Sequence, residues 1–302
     1  MEKVCPKFAF KNNGDMIVMY QQRRPTMKNK YGGVILYTQS FDRGVSWTKS
    51  KYLHTGDTSA GIGRSFFDIA TLPNGEIGAI WLDGRKKTNS GSNLYFSETK
   101  GKIGFISETL LADHACQCCR TDLYVSKDDK INVAFRNIFN DSIRDIAFVQ
   151  SSDGKVFTQT KKISADNWVI NGCPHTGPSM SKNSEGLNFF WYTRGGQPGI
   201  YSTIFDQNKN IFKKRTQISE NAEHPQSITT KSGEIVIVWD EVSQNNKGRH
   251  FSKIGVQFNS EKKHYISEDK GSFSFPGFTR IKKWRHCNCV DIKKGKSITC
   301  IL

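Results

Sequence analysis

The chain has 302 residues, 36% hydrophobic and 12% aromatic, with 26 glycines and only 8 prolines, a composition that excludes disorder and provides for a packed core. Its formal net charge is +16, but the lysines are scattered between hydrophobic runs. No basic helix, RNA-binding aromatic signature or zinc-finger spacing accompanies them, so a small anion or acidic glycan is the expected partner and nucleic acid is not. No apolar run reaches the roughly 18 residues of a membrane span, and the opening MEKVCPKFAFKNNG has no apolar signal core, so neither a membrane span nor an export signal is expected.

Along the chain one kind of segment returns: a turn, then an alternating strand that closes on an aromatic. NGDMIVMY ends at Tyr20, NGEIGAIW at Trp81, DDKINVAF at Phe135, SEGLNFFW at Trp191 and SGEIVIVW at Trp239, and a weaker KGKSITCI ends at Ile301. The interval is roughly 50–60 residues, room for four short strands and their turns. First strands precede these segments (FFDIATL, DLYVSK, SITTK), third strands follow (VILYTQS, NLYFSE, DIAFVQS, IYSTIF), and a fourth comes after a polar turn. Radially repeated four-stranded sheets predict an all-β, six-bladed β-propeller, one domain over residues 1–302, with an incomplete last blade in the stretch 271–302. A β-sandwich would not repeat one aromatic-ended strand at this interval, and a β-helix would repeat at a much shorter one. Trp47, Trp81, Trp191 and Trp239 are expected between sheets.

The turn after the first unit's third strand reads SFDRGVSWTK. Asp42 is suited to hydrogen-bond the turn backbone, Gly44 to adopt a conformation other residues avoid, and Trp47 to turn back into the core. Ser40, Asp42, Gly44 and Trp47 form S-x-D-x-G-x-x-W, which resembles the Asp-box of the sialidase (BNR repeat) superfamily. Eroded copies are SSDGKVF at Ser151 to Phe157 and SETKGKIGF at Ser97 to Phe105. The runs AIWLDGR, CQCCRTD, FRNIFNDSIRDIAFVQSSDG and DNWVINGCPHTGP are similar to a bacterial exo-sialidase-like branch, over about residues 5 to 240. The resemblance implies a six-bladed propeller, a secreted or periplasmic location, a monomer and no cofactor.

Chemistry is expected away from the Asp-box turns. Arginine follows the aromatic of several second strands: Arg23 and Arg24 in QQRR, Arg85 in LDGR, Arg136 in FRN and Arg194 in YTRGG. The starts of first strands add Arg64, Arg120, Asp122, His175 and His224. Arginines at equivalent positions would converge on a carboxylate, which each planar fork holds bidentately. Singly, each is more often a solvated or ion-paired surface residue than a ligand, and Arg144 with Asp145 would bond neighbouring blades.

Sialidases combine an arginine triad for the substrate carboxylate with an aspartate acid/base and a tyrosine nucleophile paired to a glutamate. The resemblance implies Arg23 or Arg24 on that carboxylate, Asp83 as acid/base, and Tyr201 or Tyr192 as nucleophile with Glu241 as its partner. Arg64, Arg85, Arg136, Arg194, Asp122 and His175 complete the expected binding surface for sialic acid or another acidic glycan. The first strand reads KVCPKF where the family carries an arginine-isoleucine-proline motif, so a non-catalytic propeller that binds glycan or protein is the alternative. A further alternative is a metal or redox site of Cys116, Cys118, Cys119 and Cys173 with His175. The remaining cysteines among the eight include Cys5, Cys287, Cys289 and Cys300, which would tie the termini together.

Overall fold

A computed structural model describes residues 5–86, 91–244, 250–259, 261–267, 273–280, 285–291 and 296–301, the side chains of residue 250 and of those from 278 on excepted. Among the described residues every regular element is a strand. The chain divides into two compact units, residues 1–162 with 170–175 and residues 163–169 with 176–302.

The first unit opens with β1 (Lys7–Phe10), β2 (Met16–Arg23), β3 (Gly33–Ser40) and β4 (Lys51–Tyr52), an antiparallel sheet in sequence order. It continues with β5 (Arg64–Thr71), β6 (Ile77–Asp83), β7 (Ser92–Lys100), β8 (Gly104–Phe105), β9 (Thr109–Ala115), β10 (Asp122–Val125), β11 (Ile131–Phe139), β12 (Ile143–Ser151) and β13 (Lys161–Lys162). The recurrent aromatic-ended segments are β2, β6 and β11, each the second strand of its meander. Side chains alternate across a strand. Accordingly Ile77, Ala79 and Trp81 of β6 enter one core with Ile17, Met19, Ile35 and Phe67, while Ile80 and Leu82 enter another with Leu94, Phe96, Val133 and Phe135. Burial on both faces explains why IGAIWL, before Asp83, is continuously apolar where the exposed end of β2, QQR, is polar.

The expected separation of the second and third sheets is not complete. β9 lies along β7 and bridges to β11 through Asn137 opposite Ala115, so β5 to β13 form one nine-stranded sheet.

The Asp-box is a closed hydrogen-bonded turn. Ser40 Oγ donates to Asp42 Oδ1 at 2.8 Å and accepts from Gly44 N at 2.7 Å, and Ser46 N donates to Asp42 Oδ1 at 2.8 Å. Hydrogen bonds from the Ser46 side chain and backbone hold the Asp42 carboxyl at about 2. Gly44 has φ 91°, open to glycine and strained for other residues. Asp153 repeats the device, accepting from Ser151 Oγ, Lys155 N and Val156 N. Trp47 corrects the sequence expectation: it is 40% exposed, and its Nε1 donates to Gly44 O at 3.1 Å, capping its own turn. The aromatics that pack inward from equivalent turns are Phe157, 5.1 Å from Phe96, and Phe105, edge-on to Tyr37 at 4.9 Å.

The second unit contains β14 (Ser179–Asn183), β15 (Gly186–Thr193), β16 (Gly199–Asp206), β17 (Ile211–Phe212) and β18 (Thr216–Ser219), the last two both pairing β16 as a broken fourth strand. β19 (Ala222–Thr229), β20 (Ile235–Gln244), β21 (His250–Phe258) and β22 (His264–Tyr265) make a four-stranded sheet, and β23 (Gly277–Arg280), β24 (Arg285–Asp291) and β25 (Lys296–Ile301) a three-stranded one. KGKSITCI supplies β25, an edge strand; the middle strand of that sheet is β24, which corrects its assignment as a sixth second strand. Cys287 stands opposite Cys300 in register, but their side chains and that of Cys289 lie outside the described residues, and Cys5 is exposed.

Two first strands carry the same defect two residues from their start. The ladder slips between Ser65 and Asp68, where Phe66 has φ 49°, and between Glu223 and Gln226, where His224 has φ 50°. A bulge with a non-glycine residue at positive φ re-aims the strand end that carries Arg64 in one unit and His224 in the other.

Candidate functional site

In the first unit, three of the predicted arginines converge on one loop, residues 53–63. Arg24 Nη1 donates to Thr58 O at 3.1 Å and Nη2 to Tyr52 OH at 2.8 Å, Arg64 Nη2 donates to Asp57 O at 2.6 Å, and Arg85 Nη1 donates to Thr55 O at 2.8 Å. Asp83 lies beneath them, fully buried, 3.0 Å from Arg64 Nε and from Arg85 Nε, and it accepts from Trp81 Nε1 at 3.1 Å. Arg85 Nη2 reaches Glu108 at 2.7 Å and its guanidinium lies over Tyr95. Arg64 is 0% exposed. The cluster is an ion network that fastens a loop, with Arg64 and Asp83 sealed at its centre and Arg24 and Arg85 half-buried at its margin.

His54, 3% exposed, belongs to the same region, and neither ring nitrogen has a hydrogen-bond partner. Burial, with the charge of Arg64, lowers its pKa to about 4. Arg23 is exposed and donates to Lys30 O. Arg136 is 1% exposed and donates from Nη1 to Arg144 O at 2.7 Å. Asp122 and Arg120 are half-buried, and His175 is exposed at φ 54°. Lys162 reaches Asp145 at 3.0 Å, within this unit.

Cys116, Cys118 and Cys119 form one buried group whose sulfurs all lie within 4.8 Å of one another. Cys116 Sγ is 3.6 Å from Cys118 Sγ and 3.3 Å from Cys119 Sγ, and it accepts from Arg144 Nη1 at 3.1 Å. Hydrogen bonds from the two neighbouring thiols, with the Arg144 charge, push the Cys116 thiol far below its usual range. Cys118 is raised, first by its hydrogen bond to Cys116, and Cys119 is raised, first by burial. Cys173 is exposed and stands outside this group, which corrects the four-cysteine expectation.

The second unit holds an open polar depression of about 410 Å³ lined by Gln217, Ile218, Ser219, Glu220, Asn221, Glu241 and Lys263. Glu241, on β20 two residues after Trp239, accepts from Trp239 Nε1 at 3.0 Å, Ser219 Oγ at 2.6 Å and Tyr265 OH at 2.7 Å, and Lys263 Nζ lies 3.4 Å away. Burial acts to raise its pKa, but the bonds from Ser219, Trp239 and Tyr265 and the Lys263 charge outweigh that and hold the carboxyl below its usual range. Burial and the bond to Glu241 raise the Tyr265 phenol. The phenol paired with Glu241 is therefore Tyr265, where the sequence pointed to Tyr201 or Tyr192.

Tyr201 is 6% exposed, donates to Gln197 O at 2.7 Å and lies under Arg215. Tyr192 packs edge-on against Trp168. Arg194 is exposed. Arg215 forms an ion pair with Asp166, which also accepts from Trp191 Nε1 at 2.7 Å, and His224 Nδ1 lies 2.9 Å from Asp240. Lys263, Tyr265 and Arg215 escaped sequence reasoning because they sit in or beside short edge strands without periodicity. The signal that was present is the repeated Trp-x-acid of WLD and WDE.

No family model and no curated protein matches the chain. Among solved structures it is similar to the intramolecular trans-sialidase from Ruminococcus gnavus in complex with oseltamivir carboxylate, at 9% identity and a TM-score of 0.64, over 95% of this chain and 90% of that one. It is similar to the Hadza microbial sialidase Hz136 at 13% identity and a TM-score of 0.59, covering 94% of this chain but only 62% of that one. A third is the Penicillium chrysogenum alpha-L-arabinanase complexed with arabinobiose, 12% identical, TM-score 0.58, over 98% of this chain and 92% of that one. These are propeller glycoside hydrolases, and the chain has their sialidase-like fold.

Proposed function

We propose that the chain is a sialidase-like glycoside hydrolase acting on acidic glycans, its successive sheets serving as the six blades of one propeller. The observation that carries the chemistry is the 2.7 Å hydrogen bond from Tyr265 to Glu241 at an open depression. Glu241 takes the phenol proton as the oxygen attacks the anomeric carbon and the aglycone leaves with a proton from an acid; water, giving a proton back to that acid, then releases the sugar as Glu241 returns its proton to the phenol oxygen. Glu220 is the other carboxylate of the depression and the candidate acid. The Lys263 ammonium, its side chain 41% exposed, supplies a positive charge for an acidic sugar.

Fluorophore release from a sialoside and, in parallel, from an arabinofuranoside tests this. The sialoside should be cleaved, and Glu241→Gln should lower turnover by about 10²–10⁴-fold. Turnover in Glu241→Gln and Tyr265→Phe unchanged from the parent, or cleavage of the neutral sugar alone, would overturn it. A second reading, glycan binding without hydrolysis, is favoured by one observation: Glu241 accepts three hydrogen bonds beside an ammonium, which depresses its basicity just where a proton must be taken up. A bound but intact sialoside is its signature.

A further inference from the structure

We propose that Cys116, Cys118 and Cys119 form a three-thiolate site for a soft monovalent cation, Cu(I). The three side chains are 1%, 6% and 1% exposed and pack with Ile138 and Phe66, so the sulfurs are withdrawn from solvent. Thiolates select soft ions such as Cu(I) and zinc over oxygen-seeking ones. An ion about 2.3 Å from three coplanar sulfurs sets them about 4.0 Å apart. The observed 3.6 and 3.3 Å, inside a group no wider than 4.8 Å, come to that spacing with shifts of about 0.4 and 0.7 Å.

Coordination number and charge decide between the candidates. Structural zinc takes four ligands. Among the described residues the group has three, and Cys173 is not one of them. Cu(I) with three thiolates carries two negative charges. Two arginines stand beside them: Arg144, 3.1 Å from Cys116 Sγ, and the buried Arg136, whose backbone carbonyl accepts from Cys116 N. The sum is neutral, as burial demands, whereas Zn(II) would leave an uncompensated positive charge.

The scaffold around the thiols is fixed. Cys116 N donates to Arg136 O at 2.8 Å, Cys119 N closes a turn on Cys116 O, and Arg144 Nε donates to Ile170 O at 3.0 Å. Binding involves no electron transfer: the three metal–sulfur bonds form as the thiols release their protons to solvent.

Anaerobic titration of the reduced full chain with Cu(I), supplied as its acetonitrile complex against a bicinchoninate competitor, should saturate at one ion per chain, and X-ray absorption should find three sulfur neighbours. Cys118→Ser should weaken binding by more than the roughly 10–100-fold that loss of an outer-shell partner costs, while Cys173→Ser leaves it unchanged. Since removing a buried thiol can perturb folding, the absorption spectrum of the unaltered chain reads the site without any substitution. The proposal is overturned by two sulfur neighbours, by loss of binding in Cys173→Ser, by equimolar Zn(II) displacing Cu(I), or by no saturable binding. A disulfide among the three cysteines in protein prepared anaerobically without reductant would overturn it as well.

Discussion

Asp83 and Glu241 are the same device with opposite outcomes. Each lies two residues after a buried tryptophan on a second strand, so both side chains leave the same side of the strand and the indole N–H meets the carboxylate. At Asp83 the remaining lone pairs meet two arginines, and the group is sealed at 0% exposure. At Glu241 they meet a serine, a phenol and a lysine beside an open depression. A carboxylate at a strand end becomes a fastening or a reaction centre according to what its neighbours donate and whether solvent reaches it.

The sharpest way to break the comparison is to open the sealed version. Trp81→Ala should cost about 3–5 kcal/mol, from the cavity and the lost indole bond together. Asp83→Ala should cost a similar 3–5 kcal/mol because it leaves Arg64 buried without its counter-charge. Urea unfolding measures both, and losses below about 1 kcal/mol would show that the network is not sealed in solution.

Next in size is a pH effect confined to the sealed region. His54 has its folded pKa lowered to about 4, below the roughly 6.5 of an unburied histidine, so the folded state binds the proton less readily than the unfolded one. Above about pH 6.5 both states are neutral and nothing is lost; from there to about 4 stability falls, by about 3 kcal/mol in all. Carboxylates titrate in the same range, so the reading is the difference between the parent and His54→Gln across that window. Identical slopes would contradict it.

In the open region stability and activity should separate. Tyr265→Phe removes one half-exposed hydrogen bond and should cost about 1 kcal/mol or less, yet it removes the nucleophile. A loss of stability as large as that of Asp83→Ala would make the open version structural too. The smallest effect belongs to Trp47→Phe, within about 0.5 kcal/mol, since the ring stays in place and the one hydrogen bond lost is exposed to water.

The strand repeat was legible because β6, β11, β15 and β20 are buried on both faces, which writes an apolar-rich run closing on an aromatic. Trp47 misled because an indole past a tight turn carries no sign of which way it folds. Asp83 and Glu241 could be read as strand-end acids, but not their fates. Those depend on Arg64, on Lys263 and on Tyr265 of a two-residue edge strand, partners 19 to 24 residues away in sequence. The arginine set illustrates the same limit, since a repeat predicts where arginines occur and not that Arg24, Arg64 and Arg85 would be occupied by the carbonyls of one loop.

The most direct test of the open site is a crystal structure of the chain soaked with the 2,3-dehydrated analogue of sialic acid. The account predicts the analogue in the depression, its carboxylate within hydrogen-bond distance of Lys263 and its anomeric carbon facing Tyr265 Oη. The analogue bound away from Glu241, Lys263 and Tyr265, with the depression empty at saturating concentration, would contradict it.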